Sequence, residues 1–172
     1  VINLEGGTEV SNNLFSNFCR FLTGNVTSSG EALSNTMFEY AQGIPFAKRG
    51  GLMRMYYQLY LYYHLGQRNT SFFPELFKEL RRDPLTDHYK NTNNSSLKFV
   101  RKVCEIAQED LTDFFEAWGF FVPCSNLPIS DYGDYTMTVK ITDINRTKAT
   151  IAKYTRKNRE ILFVEDRVDY VP

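Results

Sequence analysis

The sequence predicts a mainly α-helical fold, a bundle-like array of about six helices with a small mixed α/β appendage at its C-terminal end. Apolar residues recur at helical spacing in successive windows between Glu9 and Trp118, and glycine or proline closes almost every window. The 172 residues also include 14 Phe and 11 Tyr, a supply of large rings suited to a core, to a binding cleft, or to both. With 42% hydrophobic and 23% charged residues the chain belongs to the globular class. Its 20 basic residues cancel its 20 acidic ones, so the overall field gives no support to a nucleic-acid partner.

The elements follow in order. Val10, Leu14, Phe18, Phe21 and Leu22 place one apolar face on a helix from about Glu9 to Leu22, with Thr8 as N-cap and Gly24 as stop. Leu33, Met37, Tyr40 and Ala41 share a face in a second helix that ends at Gly43 and Pro45. The third, Leu52 to Leu65, carries a wide stripe of Leu52, Met55, Tyr56, Leu59, Tyr62 and Tyr63. Its other face holds Tyr57, Tyr60 and Leu61, which predicts cover on more than one side. Pro74 suits the first turn of a fourth helix through Leu76, Phe77 and Leu80, and Asp83-Pro84 ends it. After a polar loop, Ser95 or Ser96 caps a helix through Leu97, Val100, Val103, Cys104 and Ala107. Asp110 and Asp113 then set up a short helix from Leu111 to Trp118, closed by Gly119.

Beyond Gly119 the pattern changes. Phe120 to Val122 reads as a short strand, and Pro123, Pro128 and the run from Asp131 to Asp134 read as loop. Thr142 caps a helix bearing Ile144, Lys148, Ile151 and Ala152, and Glu160 to Val164 alternates like a strand. The division expected is a helical part over 1–122 and a small appendage over 123–172 packed on it. The most apolar stretch, Leu59 to Leu65, is far short of the ~20 residues a membrane span requires. A charged-then-apolar leader is missing and the chain opens at Val1, which reads as a processed or excised piece. Cys19, Cys104 and Cys124 are too far apart for a CxxC motif and are expected to act as small buried hydrophobes.

The residue types that carry chemistry are sparse. Only His64 and His88 occur, 24 residues apart, so the two-histidine pair at i, i+4 that grips zinc from one helical face is missing. Nothing sets a nucleophile on a strained turn beside either histidine. The pairs Gly6-Gly7 and Gly50-Gly51 lack phosphate-loop spacing. Lys140 to Arg159 holds seven Lys or Arg against the one Asp143, either a local anion patch or the solvated face of an ordinary helix. Read alone, Glu9 is a first-turn acid favoured by the helix dipole.

Glu9 gains meaning from its neighbours. The run Gly7-Thr8-Glu9-Val10-Ser11-Asn12-Asn13-Leu14-Phe15-Ser16 resembles the TEVxNN segment of the enhancin-like, mucin-targeting zinc metallopeptidases. Leu52 to Leu65 with its Met-Tyr-Tyr-Gln-Leu core, Glu109 to Phe121, and Asp131-Tyr132-Gly133-Asp134-Tyr135 are similar to the same family. The resemblance implies a gluzincin site: an HExxH helix supplies two histidines and the general base, and Glu9 is the third protein ligand of zinc. HExxH is absent from this chain, so the similarity is to the C-terminal portion of the peptidase domain, cut after HExxH. Catalytic residues are therefore expected upstream, and this chain alone is expected to be inactive and to hold no zinc tightly, because one carboxylate cannot keep the metal.

The resemblance further implies an O-glycosylated, mucin-like protein substrate for the full-length parent, and an extracellular or cell-surface location. Asn12 and Asn13, one turn along from Glu9, are candidates to brace the site or touch substrate, with capping and local hydrogen bonding as the alternative. Arg54, Tyr57 and Gln58 are candidates for substrate contact, set against plain packing. The competing function is a non-catalytic helical module that binds glycans or glycoproteins. The sequons at Asn25, Asn69 and Asn145 carry weight only in a eukaryotic secretory setting.

Overall fold

A computed structural model describes residues 2, 4, 6–7, 10–24, 42–48, 52–85 and 95–157. Within them run α1 (Val10–Leu22), α2 (Leu52–Leu59), α3 (Phe72–Arg82), α4 (Ser95–Ala107), α5 (Thr112–Ala117), the strands β1 (Cys124–Ser130) and β2 (Asp134–Val139), and α6 (Ile141–Ile151). A 3-10 turn, Phe46–Lys48, precedes α2. The fold is mainly α with a small mixed part, as the periodicity predicts. The expected second helix and the strand at Glu160 to Val164 fall outside the described residues. Among the described residues, no helix is long and apolar enough to cross a membrane.

α2 is the axis of the molecule. Met55 through Tyr60 are all buried, six residues in succession, so the helix is sheathed on every side as its two aromatic faces predict. α1 packs along it. The expected continuous α-helix to Leu65 does not hold, because Tyr60–Gly66 widens into a π-helix, closed where the Gln67 N–H reaches the Tyr62 carbonyl at 3.1 Å. π segments are rare and have a cause. Here the extra width lets a run of rings find separate partners: Tyr60 stacks on His64 at 4.9 Å, Tyr63 on Phe72 at 4.6 Å, and Tyr62 meets Tyr63 edge-on at 4.8 Å.

α3 carries Pro74 in its first turn and buries Phe72, Phe73, Leu76 and Leu80. α4 starts at Ser95, so Ser95 and Ser96 lie inside the helix and are buried rather than capping it from outside. The helix extends because its apolar face, from Leu97 through Phe99 and Val100 to Cys104, is wholly in the core. At α5 the N-cap is Leu111, which makes no side-chain cap bond, so the expected acidic cap is replaced by a local turn: Asp110 Oδ1, one residue ahead, accepts from the Thr112 N–H at 2.9 Å and from its hydroxyl. Asp113 instead pairs with Arg156.

Phe120 to Val122 is not a strand. Gly119, at φ +77°, ends α5 in a Schellman turn: its N–H bonds the Glu116 carbonyl at 3.0 Å, and the Phe120 N–H bonds the Phe115 carbonyl at 2.9 Å. Phe120 is thereby driven inward, 5.0 Å from the Phe115 ring and 4.4 Å from Phe46. A core ring of this kind stabilises by roughly 1.5–3 kcal/mol. The stretch read as loop is a hairpin, with Pro128 inside β1 and residues 131–133 as its turn. Proline is tolerated because a two-stranded sheet has open edges. α6 is preceded by Lys140 as N-cap, not Thr142.

The cysteines divide. Cys104 is buried and its thiol is pushed up to about 12, mainly by that burial, whereas Cys19 is exposed and Cys124 is half-buried. Only Cys104 behaves fully as the expected hydrophobe.

Two buried polar contacts tie the layers. The Trp118 Nε1–H donates to Gln58 Oε1 at 3.2 Å, pinning α5 to α2. The Tyr63 hydroxyl donates to Glu109 Oε2 at 3.0 Å, and Lys157 lies 3.5 Å from the same oxygen. Burial and the Glu109 charge together push the Tyr63 phenol well above its usual range, so it stays a donor. Tyr63→Phe leaves a nearly enclosed carboxylate with one long contact, and should cost about 1–3 kcal/mol in urea unfolding. An unchanged unfolding midpoint would show that Lys157 alone satisfies Glu109.

Candidate functional site

The residues around Glu9 are fixed although Glu9 itself, with Thr8, lies outside the described residues. Ile2 and Leu4 are buried, and successive carbonyls guide the chain inward: the Gly7 N–H bonds Leu4, and the Val10 N–H bonds Gly7, each at 3.1 Å. Gly6 lies between them at φ +71°. A Cβ placed there would stand 2.5 Å from the Ala47 carbonyl oxygen, so the backbone of the 3-10 turn occupies the space a side chain needs. The Gly6 N–H donates to the Tyr135 hydroxyl of β2 at 3.0 Å. Two distant segments, the 3-10 turn and β2, therefore hold the approach to α1.

The other candidates sit on α1 and α2. Asn12 is half-buried and Asn13 exposed on α1, with Leu14 buried next to them. The expected helix from about Glu9 would set residues three and four further on upon the same face, which is the geometric content of the TEVxNN spacing. Arg54 lies on the backbone of α2, and its side chain is outside the described residues. Tyr57 and Gln58 are buried, Tyr57 stacking on Tyr60 at 5.8 Å and Gln58 accepting from Trp118. In the sequence Tyr135 stands out only within the family-like run Asp131 to Tyr135, with no role assigned, and Ala47 not at all. The alternation of Tyr135, Met137 and Val139 was the available signal for the first, and nothing in composition marks the second.

Two cavities flank these elements. One, of about 450 Å³, lies between α1, the π-helix and α3, with Phe15, Tyr60, His64, Phe73, Phe77 and Arg81 among its walls. The other, of about 390 Å³, lies between Lys48 and the hairpin, where Ser130, Asp134, Tyr135 and Thr136 supply polar groups. Its wall includes Tyr135, the residue that holds Gly6. Among the described residues no three His, Cys, Asp or Glu side chains converge as metal ligands. His64 belongs to the aromatic cavity, and His88 lies outside the described residues. The fit to zinc is therefore partial: this chain offers the single carboxylate of Glu9 and lacks the two-histidine motif.

Two outcomes follow from this geometry. Gly6→Ala adds left-handed strain of roughly 1–2 kcal/mol to a backbone clash, whereas Tyr135→Phe removes one hydrogen bond worth about 1 kcal/mol. Thermal unfolding should rank them in that order, and a Gly6→Ala protein as stable as the parent would refute the close approach. For His64, burial lowers the pKa below its usual 6.5, and its Nδ1 is enclosed without a hydrogen-bond partner among the described residues. The folded state favours the neutral ring, so its contribution is full above about 6.5 and is lost as pH falls through the window beneath. Urea midpoints between pH 7.5 and 5 should fall less in His64→Phe than in the parent chain.

Two solved structures superpose on nearly the whole chain. A metallopeptidase in complex with Tn antigen is 34% identical with a TM-score of 0.86, over 96% of this chain and 33% of that one. A metallopeptidase from Bacteroides thetaiotaomicron is 33% identical with a TM-score of 0.86, over 97% of this chain and 30% of that one. The chain thus spans about a third of their length. None of the curated proteins matches it. The sequence profile of the peptidase M60 family, enhancin and enhancin-like, matches residues 2–119, from the buried Ile2 to the Schellman glycine, and the chain belongs to that family.

Proposed function

We propose that this chain forms the latter, helical part of a zinc metallopeptidase domain that hydrolyses O-glycosylated, mucin-like proteins outside the cell or at its surface. The observation that supports it most is the anchoring of the segment before Glu9 by Gly6, Ala47 and Tyr135, on a chain similar to a metallopeptidase in complex with Tn antigen, a mucin-type O-glycan. In this reading Glu9 is the third protein ligand, and Asn12 and Asn13 brace it from the next turn. Residues 1–122 form the peptidase part, and 123–172 an appendage whose Tyr135 steadies the ligand segment.

When bound, zinc polarises the scissile carbonyl and lowers the pKa of its water, so that hydrolysis proceeds at neutral pH. In this reading the chain contributes one carboxylate, that of Glu9, and the segment ahead of it is held where the Gly6 backbone packs against Ala47. Buried Tyr57 and Gln58 keep α2 rigid behind it. Two histidines and a general base must come from an HExxH helix that this sequence does not contain. The chain by itself is then inactive and holds no zinc tightly.

Zinc titration by calorimetry tests the proposal. The chain should show no tight binding that Glu9→Ala abolishes, whereas a longer form carrying HExxH should bind zinc and lose it with that change. Sub-micromolar, Glu9-dependent binding by the present chain would overturn the reading. The competing reading is a non-catalytic module that binds glycans or glycoproteins. An encoding frame with no HExxH in the few tens of residues ahead of Val1 would select it.

A further inference from the structure

We propose that the groove between α4 and α6 is a binding site for a tetrahedral oxyanion, a sulfate or phosphate group carried free or as a monoester. The site is independent of the zinc reading and uses none of its residues. A cavity of about 250 Å³ opens there, with a predominantly polar wall. α4 contributes Lys98, Arg101 and Lys102, and α6 with the residues after it contributes Thr150, Lys153 and Tyr154.

The charges in this groove are not equally matched. Lys98 is held by Asp83 at 2.5 Å, and Lys102 by Asp83 at 3.3 Å, Glu79 at 3.6 Å and Glu105 at 3.8 Å. Those two lysines and the carboxylates of the cavity, Asp83 and Glu105, neutralise one another. Arg101 and Lys153 have no carboxylate within ion-pair distance among the described residues. Arg101 is half-buried and donates through Nη1 to the Thr147 hydroxyl at 2.9 Å, a neutral partner enclosed in the core. That bond fixes the guanidinium and leaves most of its five donors unused. Lys153 rests over the Tyr154 ring at 4.9 Å.

Two further features point the same way. Burial first, and then Arg146, disfavour the charge on Arg101, and Asp143 only partly offsets them. Arg146 itself is taken up by Asp143 at 3.5 Å. An anion entering the groove supplies the missing counter-charge to a cation already part-desolvated and oriented. A planar fork and a lysine converging on one cavity suit the several oxygens of a tetrahedral group, which accept such donors at charge-assisted strength. The volume exceeds that of the bare ion, and the Tyr154 ring offers a flat wall to the ring of a sugar that carries it.

The test is calorimetric titration of the chain with sodium sulfate, sodium phosphate and N-acetylglucosamine 6-sulfate, against sodium chloride at matched ionic strength. Saturable binding of at least one oxyanion is expected, absent with chloride and weakened about tenfold by Arg101→Gln or by Lys153→Gln. Lys153 is exposed, so its variant keeps the test valid if Arg101→Gln fails to fold. Stronger binding of the sugar sulfate identifies a monoester as the occupant, and equal binding identifies the free ion. Binding unchanged in a folded variant, or matched by chloride, would overturn the proposal.

Discussion

The structure depends on one backbone turn, the left-handed step at Gly119. It stops α5, directs Phe120 into the core and exposes the Gly119 carbonyl, which accepts the Phe46 N–H at 3.1 Å. With Phe46 also stacked on Phe120, the 3-10 turn is held in place, and its next residue, Ala47, presents a carbonyl to Gly6. From there the chain runs within three residues to Glu9. Two glycines at positive φ, more than a hundred residues apart in sequence, are thus successive links in one mechanical connection between the core and the candidate ligand. Neither tolerates a side chain cheaply, since a Cβ would strain the turn at one and strike backbone at the other.

The interior around α2 is aromatic but not purely apolar, and its polar atoms are placed where they limit sliding. A stack of rings alone permits many near-equivalent packings. Gln58 meeting Trp118, and Tyr63 meeting Glu109, each demand a specific register between α2 and the α4–α5 corner. The π segment is consistent with that demand, because it re-aims Tyr63 at Phe72 and Glu109 while Tyr60 turns to His64 and Phe73. The same widening opens the aromatic cavity beside α3. Rigidity behind the site and room beside it come from one departure from α geometry.

How much of this was legible in the sequence depended on how local the signal was. The helices α3, α4 and α6 follow from period and punctuation, because each buries a stripe written within a dozen residues, whereas α1 forms where expected with Leu14 of its predicted face buried and Leu22 exposed. The π segment was not legible, since a run of tyrosines reads the same at either pitch, and the choice is made by Phe72, His64 and Glu109 from other elements. The hairpin was hidden by Pro128 and by an acidic run that signals loop, although Asp-Tyr-Gly-Asp between alternating residues is also a turn between strands. Of the site, TEVxNN placed Glu9, Asn12 and Asn13 on one helix. It could not show that Tyr135 and Ala47 guard the approach, because a backbone packed so close that an added Cβ would stand 2.5 Å from the Ala47 oxygen has no sequence pattern beyond a glycine.

The zero net charge also takes on a different meaning in three dimensions. The basic run from Lys140 to Arg159 was open to two readings, a patch for anions or a solvated face, and the described residues divide between them. Arg156 goes to Asp113, Lys148 to Glu116 and Lys157 to Glu109, so much of the excess is cancelled by acids of the α4–α5 corner, and α6 with the residues just after it is clasped to the core. Exposed pairs of this kind add little stability one by one, but Glu109 is buried, and leaving it unmatched would be costly. The corner spends its acids in that clasp. In the neighbouring groove Asp83 and Glu105 are matched by Lys98 and Lys102, and Arg101 and Lys153 are left as a local positive site in a chain whose total charge is nil.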